Sequence, residues 1–161
     1  MIQFRSAQAS DLTAIMAIEN AGFTPEEAAT TTSMAARIGQ YPDTFIVAVA
    51  QGVVQGYIVG PAIVARHLTD DLFVSAQPNA KAAPYLAILS LAVAPGAQGH
   101  GLGSQLLTQF AAVAAGQGRR GITLTCLKRL VPFYEANGYV NEGLSASAHA
   151  GEHWYNLVRE V

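Results

Sequence analysis

One seven-residue stretch, Gln98-Gly99-His100-Gly101-Leu102-Gly103-Ser104, constrains this chain more than any other. It follows residues 85–93, a nearly all-apolar run of the kind buried at a sheet centre. It precedes Leu102, Leu106, Leu107, Phe110, Val113 and Ala114, which recur at helical spacing. Such a turn is a ready anion site. The first N–H groups of a helix have no internal partner, and the helix dipole adds partial positive charge there. Glycines let an anion approach the backbone without a Cβ in the way. A nucleoside-triphosphate loop needs Lys then Ser or Thr after its last glycine, but Leu102 follows Gly101 and Ser104 follows Gly103. A dinucleotide fold needs G-x-G-x-x-G in an early β-α-β unit. From Gly99 the pattern is G-x-G-x-G-S, and it lies past the middle of the chain. On spacing alone, a sharp strand-to-helix corner with no ligand also fits.

The rest of the chain reads as short strands and helices. Residues 2–5 form a first strand, and Ser10 or Asp11 caps a helix to about Ala21. Pro25 opens a second helix, with Glu26 and Glu27 at its positive end. Residues 44–50 and 53–64 form a hairpin around Gln51-Gly52, and Gly60-Pro61 bends its second strand. Residues 66–84 are a long loop, of a length that is often functional. Residues 122–125 form a strand parallel to 85–93. A short helix over 130–137 stops at Asn137-Gly138, and strands at 139–144 and 154–158 close a single domain.

Composition narrows the function classes. The chain has 161 residues, a net charge of -2 and 12% charged residues, with no basic block. That argues against nucleic acid as a partner. Cys126 is the only cysteine, which excludes an intrachain disulfide, and the four histidines show no ligand spacing, so no metal is expected. The start Met1-Ile2-Gln3-Phe4-Arg5 lacks a secretory pattern, and no apolar run approaches the about 20 residues of a membrane helix. The expected location is the cytoplasm, with no membrane partner.

Gln98, Gly101 and Gly103 fit the pattern Arg/Gln-x-x-Gly-x-Gly/Ala, and Leu91-Ala92-Val93 stands at a Leu-x-Val step before it. A second segment carries Val131-Pro132-Phe133-Tyr134-Glu135, with Gly138-Tyr139 after it. Together these resemble the CoA-binding segments of the GNAT acetyltransferase superfamily. The form of the second segment resembles the arylalkylamine N-acetyltransferase branch, as do Glu19-Asn20-Ala21-Gly22-Phe23 and Thr69-Asp70-Asp71-Leu72-Phe73. The stretch from Ser145 to Trp154 is similar to the Ser-x-Ser-x-His-Gly-Gly ending of bacterial relatives, with Ala150 at the first of the two glycines.

The resemblance implies an α+β fold: a mixed, mostly antiparallel seven-stranded sheet with a splayed central parallel pair, flanked by about four helices. It implies acetyl-CoA as cosubstrate and direct acetyl transfer to a small-molecule primary amine. The pyrophosphate would lie on the backbone of Gly99, His100, Gly101, Leu102, Gly103 and Ser104, and the pantetheine arm on Leu91 and Val93. Phe133 would flank the cofactor. Tyr134 is the candidate acid for the leaving thiolate, help that is worth roughly 10²–10⁴-fold. A backbone N–H near Leu91 would stabilise the thioester oxygen.

The resemblance breaks at the base. Animal arylalkylamine enzymes carry two histidines on the central strand, where this chain has Ala87 and Leu89. Glu19, Glu26, Glu27, Asp70 and Asp71 lie in segments that border the acceptor in relatives, as does His149. His67 is a further histidine without an assigned role. Cys126 reads as a small buried hydrophobe. A non-catalytic acyl-CoA-binding regulator on the same fold is the alternative function. An exposed edge strand gives a route to a homodimer.

Overall fold

Asp11 shows how the first elements are locked. Its carboxylate takes two hydrogen bonds from Arg5, at 2.7 and 3.0 Å, and one from the Gln8 N–H at 2.8 Å. The Arg5 bonds are the main cause that holds this carboxyl below the usual range. The clamp joins β1 (Ile2–Ser6) to α1 (Leu12–Gly22). The computed structural model describes residues 1–161.

The second helix starts later than Pro25 predicts. Thr24 and Glu27 do exchange bonds: the Thr24 N–H donates to Glu27 Oε1 at 3.1 Å, and the Glu27 N–H donates to Thr24 Oγ1 at 3.3 Å. The ladder does not propagate, because the Ala29 N–H donates instead to the Glu19 carboxylate at 2.9 Å. Pro25 and both glutamates stay in a turn. Thr30 then caps α2 (Thr31–Gln40), its Oγ1 accepting from the Ser33 N–H at 3.1 Å.

Strands β2 (Phe45–Ala50) and β3 (Val53–Val59) meet at Gln51 and Gly52. Both turn residues have positive φ, as a two-residue hairpin turn requires. Phe45, Val47 and Val49 of β2 pack with α1 and α2 residues, whereas Ile46 and Ala48 pack with α3 (Leu102–Gly116) on the other face. A strand covered on both faces shows no polar alternation. Leu106, Leu107 and Phe110 are 0–1% exposed on α3. Each such buried side chain contributes about 1.5–3 kcal/mol.

Nine strands form two sheets, of four and five strands, where the resemblance implies one sheet of seven. The run 53–64 breaks at Gly60-Pro61 into β3 and β4 (Ala62–Ile63). The run 85–93 breaks at Leu89 into β5 (Tyr85–Ile88) and β6 (Ser90–Val93). Pro61 has no N–H to give a ladder, but its carbonyl accepts from the Ala87 N–H at 2.8 Å. The Leu89 N–H donates to the Val59 carbonyl at 2.8 Å. One sheet runs β1-β2-β3-β6; the other runs β4-β5-β7-β9-β8, where β7 is Gly121–Leu127, β8 Val140–Leu144 and β9 Trp154–Glu160.

That break opens the site. Strands β5 and β7 are parallel neighbours from Tyr85↔Gly121 to Ile88↔Leu124. Beyond it β6 follows β3, from Val59↔Ser90 to Gly56↔Val93, while β7 continues against β9. The central pair therefore splays, and β6 becomes an edge strand facing a gap. Helix α4 (Val131–Ala136) lies beside the gap and ends before Gly138, whose φ is +90°.

The loop over residues 64–84 holds one helical turn, Asp70–Phe73, and is fastened at several points. Arg66 and His67 both bind Glu142 of β8, with closest approaches of 2.6 and 2.7 Å. Asn79 donates to Thr44 Oγ1 at 2.9 Å and accepts from the Ala62 N–H at 2.8 Å. Ser147 donates to Asp70 at 2.6 Å. No helix is long and apolar enough to cross a membrane.

Candidate active site

Gly99 and Gly101 have φ of +83° and +81°. A side chain at either would meet no neighbour, so backbone conformation and not space is what calls for glycine there. Gly101 is the N-cap of α3, and no side chain caps that end. The Gln105 N–H is the first to find an in-helix acceptor, the Gly101 carbonyl at 3.1 Å. The N–H groups of Leu102, Gly103 and Ser104 therefore open outward, with the positive end of a 15-residue helix behind them. Gln98 closes the turn by donating from Nε2 to the Val93 carbonyl at 3.1 Å.

These residues line a groove of about 480 Å³. Gln98, Gly99, Gly101, Leu102, Gly103 and Ser104 form one end, and Leu91, Ala92 and Val93 of β6 form a wall. Phe133 and Tyr134 of α4, with Leu130, form the facing wall. Gly103 lets α3 and α4 approach, since a Cβ there would lie 3.2 Å from Phe133 Cζ. His100 is exposed at the tip of the turn and is not among the lining residues. The Ala94 N–H donates to the Gln55 carbonyl at 2.8 Å, toward β3. By strand alternation the Leu91 and Val93 N–H groups point the other way, into the gap.

A second cavity, about 360 Å³, lies beyond the gap. Leu91, Leu130 and Tyr134 line both spaces. Tyr134 is 7% exposed and makes edge contacts with Phe133 and Tyr139, at ring-centroid distances of 5.1 and 5.7 Å. Burial pushes its phenol above the ordinary tyrosine range, so it stays protonated at neutral pH. Cys126 also lines the second cavity, and burial pushes its thiol up to about 12. A thiol held neutral in this way is a poor nucleophile.

The second cavity has a polar core. Glu19 is 2% exposed on α1, and its carboxylate accepts from Tyr57 OH, from Ser90 Oγ at 3.1 and 3.4 Å, and from the Ala29 N–H. Burial, then the Glu19 charge, holds the Tyr57 phenol well above its ordinary range. Glu27 and Asp70 line the same cavity, whereas Glu26 and Asp71 do not. His149 lines it too, stacked on Phe73 at 6.1 Å, with Trp154 beside it at 5.9 Å. His67 instead binds Glu142, outside the cavity. No group of three or more His, Cys, Asp or Glu side chains is placed to hold a metal ion.

Ser90 and Arg37 are site residues that the sequence reading does not name. Ser90 did carry a signal, as the only residue in 85–93 outside the apolar and aromatic types. Arg37 carries none, because arginine suits any helix face; Tyr57, readable only as one aromatic among several, donates to Glu19.

The model described as the Acetyltransferase (GNAT) family matches residues 12–139. Solved structures share the fold. Ard1 from Thermoplasma volcanium superposes with a TM-score of 0.80 at 20% identity, covering 99% of this chain and 97% of its own. The loading GNATL domain of CurA from Lyngbya majuscula gives 0.86 at 14%, covering 99% and 98%. The yncA protein from Salmonella typhimurium, solved with its cofactor acetyl-CoA, gives 0.73 at 16%, covering 99% and 94%. No match was found among curated proteins.

Proposed function

Because the chain belongs to the GNAT acetyltransferase family, we propose that it moves an acetyl group from acetyl-CoA to a primary amine in a ternary complex. The observation that carries this reading is the shared wall. The glycine-turn groove and the polar cavity share Tyr134, Leu91 and Leu130 as lining residues, so a ligand in each would meet at one phenol.

The turn holds the pyrophosphate on the N–H groups of Leu102, Gly103 and Ser104. The pantetheine amides pair with the free edge of β6 at Leu91 and Val93, as an added strand would. This leads the thioester through the gap to Tyr134. The amine occupies the cavity near Ser90. Its nitrogen bonds to the acetyl carbon, and the carbon–sulfur bond breaks. Tyr134 gives its proton to the departing thiolate, while the amine proton passes through the Ser90 hydroxyl to Glu19. The Leu91 N–H faces the thioester oxygen as charge builds there.

Substituting Gly101 tests the cofactor half. Gly101→Ala places a Cβ at φ +81°, which costs about 1–2 kcal/mol in the turn. The free turn relieves that strain by leaving the conformation that presents its N–H groups, so the acetyl-CoA Kd measured by calorimetry should rise about tenfold, while the rest of the fold changes little because the Cβ meets no neighbour. An unchanged Kd would show that the phosphates are held elsewhere.

A further inference from the structure

Arg37 is the least explained charge in the molecule. It is 3% exposed, on α2, and lines the polar cavity. Its Nη2 donates to the Phe73 carbonyl at 3.2 Å, but Nη1 has no partner in the protein. A guanidinium stays charged in proteins, and a buried donor without an acceptor is costly. Glu19 is near enough for its charge to act on Arg37, yet the two form no ion pair. The Glu19 oxygens are already taken by Tyr57, Ser90 and the Ala29 N–H.

Ser33 stands one helical turn before Arg37, on the same face of α2, and lines the same cavity. The cavity core therefore offers a carboxylate beside Ser90 and an unmatched guanidinium beside a serine hydroxyl. That pair of opposite charges complements a zwitterion. In an α-amino acid the ammonium and carboxylate are neighbours, as Glu19 and Arg37 are here.

We infer that the acceptor is a free amino acid whose carboxylate sits against the Arg37 guanidinium and the Ser33 hydroxyl, with its amine toward Ser90. This rests on the acetyl-transfer reading and names its substrate class. The side chain extends along Phe73, His149 and Trp154. A peptide N-terminus and a simple arylalkylamine both lack the carboxylate and bring no counter-charge to the Arg37 guanidinium that lines the cavity.

The test uses matched acceptors with saturating acetyl-CoA: an amino acid, its carboxamide and its decarboxylated amine, for several aromatic and aliphatic side chains. Thiol release gives kcat/KM, corrected for the fraction of free amine. The wild type should prefer the acid at least about tenfold over both partners for some side chain. Arg37→Gln should lower that ratio about 10- to 100-fold, the scale of a lost charge-assisted bond. Arg37→Lys should keep part of it. A purely structural Arg37 would lower all three acceptors together and leave the ratio intact, and that result overturns the inference. So does a wild type that uses carboxamides or decarboxylated amines as well as the acids, while acetyl transfer itself stands. No release with any acceptor, from protein that binds acetyl-CoA, overturns the transfer reading and this inference with it.

Discussion

Tyr134→Phe should lower kcat by about 10²–10⁴-fold, the usual range for loss of a general acid, and leave the fold nearly untouched. The ring is what packs, through its edge contacts with Phe133 and Tyr139, and a phenylalanine keeps both. Those ring contacts do not use the hydroxyl, so its removal should cost little stability. The acetyl-CoA Kd should stay within a few-fold, because the phosphate end of the groove is formed by other residues. The raised phenol pKa has a direction that can be checked. The protonated form is favoured, so Tyr134 should cause no loss of kcat through neutral and mildly alkaline pH. If kcat is unchanged in the variant, the thiolate leaves without this acid and the role assigned to Tyr134 is wrong.

Gly60→Ala should be the most damaging single methyl group in the chain. A Cβ at Gly60 would lie 1.5 Å from the Ala87 carbonyl oxygen and 2.5 Å from its carbon. Both are backbone atoms of the buried strand β5, so no side-chain rotation relieves the overlap. The chains must part where β3 hands over to β4 and where the splay begins. A loss of at least about 3 kcal/mol is expected, above the ordinary cost of overpacking. Gly39→Ala is the contrast: it is exposed on α2 with nothing within 4 Å, and alanine favours helix, so stability should rise by up to about 1 kcal/mol. Denaturant unfolding of the two variants measures both effects. A Gly60→Ala protein as stable as the wild type would show that β3 and β5 do not cross this closely.

Much of this architecture was legible where local chemistry decides the structure. The glycine turn between a buried strand and an amphipathic helix was readable because both φ values and the open helix end depend on neighbours in sequence. The splayed parallel pair came with the family resemblance, and the ladder that stops at Ile88↔Leu124 has that form. The strand breaks at Gly60 and Leu89 were harder. They depend on Ala87 reaching the Pro61 carbonyl and Leu89 reaching Val59, which are contacts between distant segments. The start of α2 was misread for a similar reason. Pro25 followed by Glu26 and Glu27 suits a first helical turn, and only the buried Glu19, ten residues before Ala29, diverts the backbone. Glu19 itself could be named as one carboxylate among five. Its burial beside Tyr57 and Ser90 required three elements to be brought together in space.

Direct passage of an acetyl group from a thioester in the groove to an amine in the cavity is the central step of the proposed reaction. The most direct measurement is CoA thiol release from acetyl-CoA with and without amine, coupled to mass analysis of the amine and of the protein. The predicted result is release that depends on amine, one N-acetylated product for each thiol, and no acetylated protein when amine is absent. Acetyl-CoA that binds but is not consumed with any amine would contradict the account and mark the chain as a sensor of acyl-CoA. Acetylation of Cys126 without amine would contradict it differently, by replacing direct attack with a covalent intermediate.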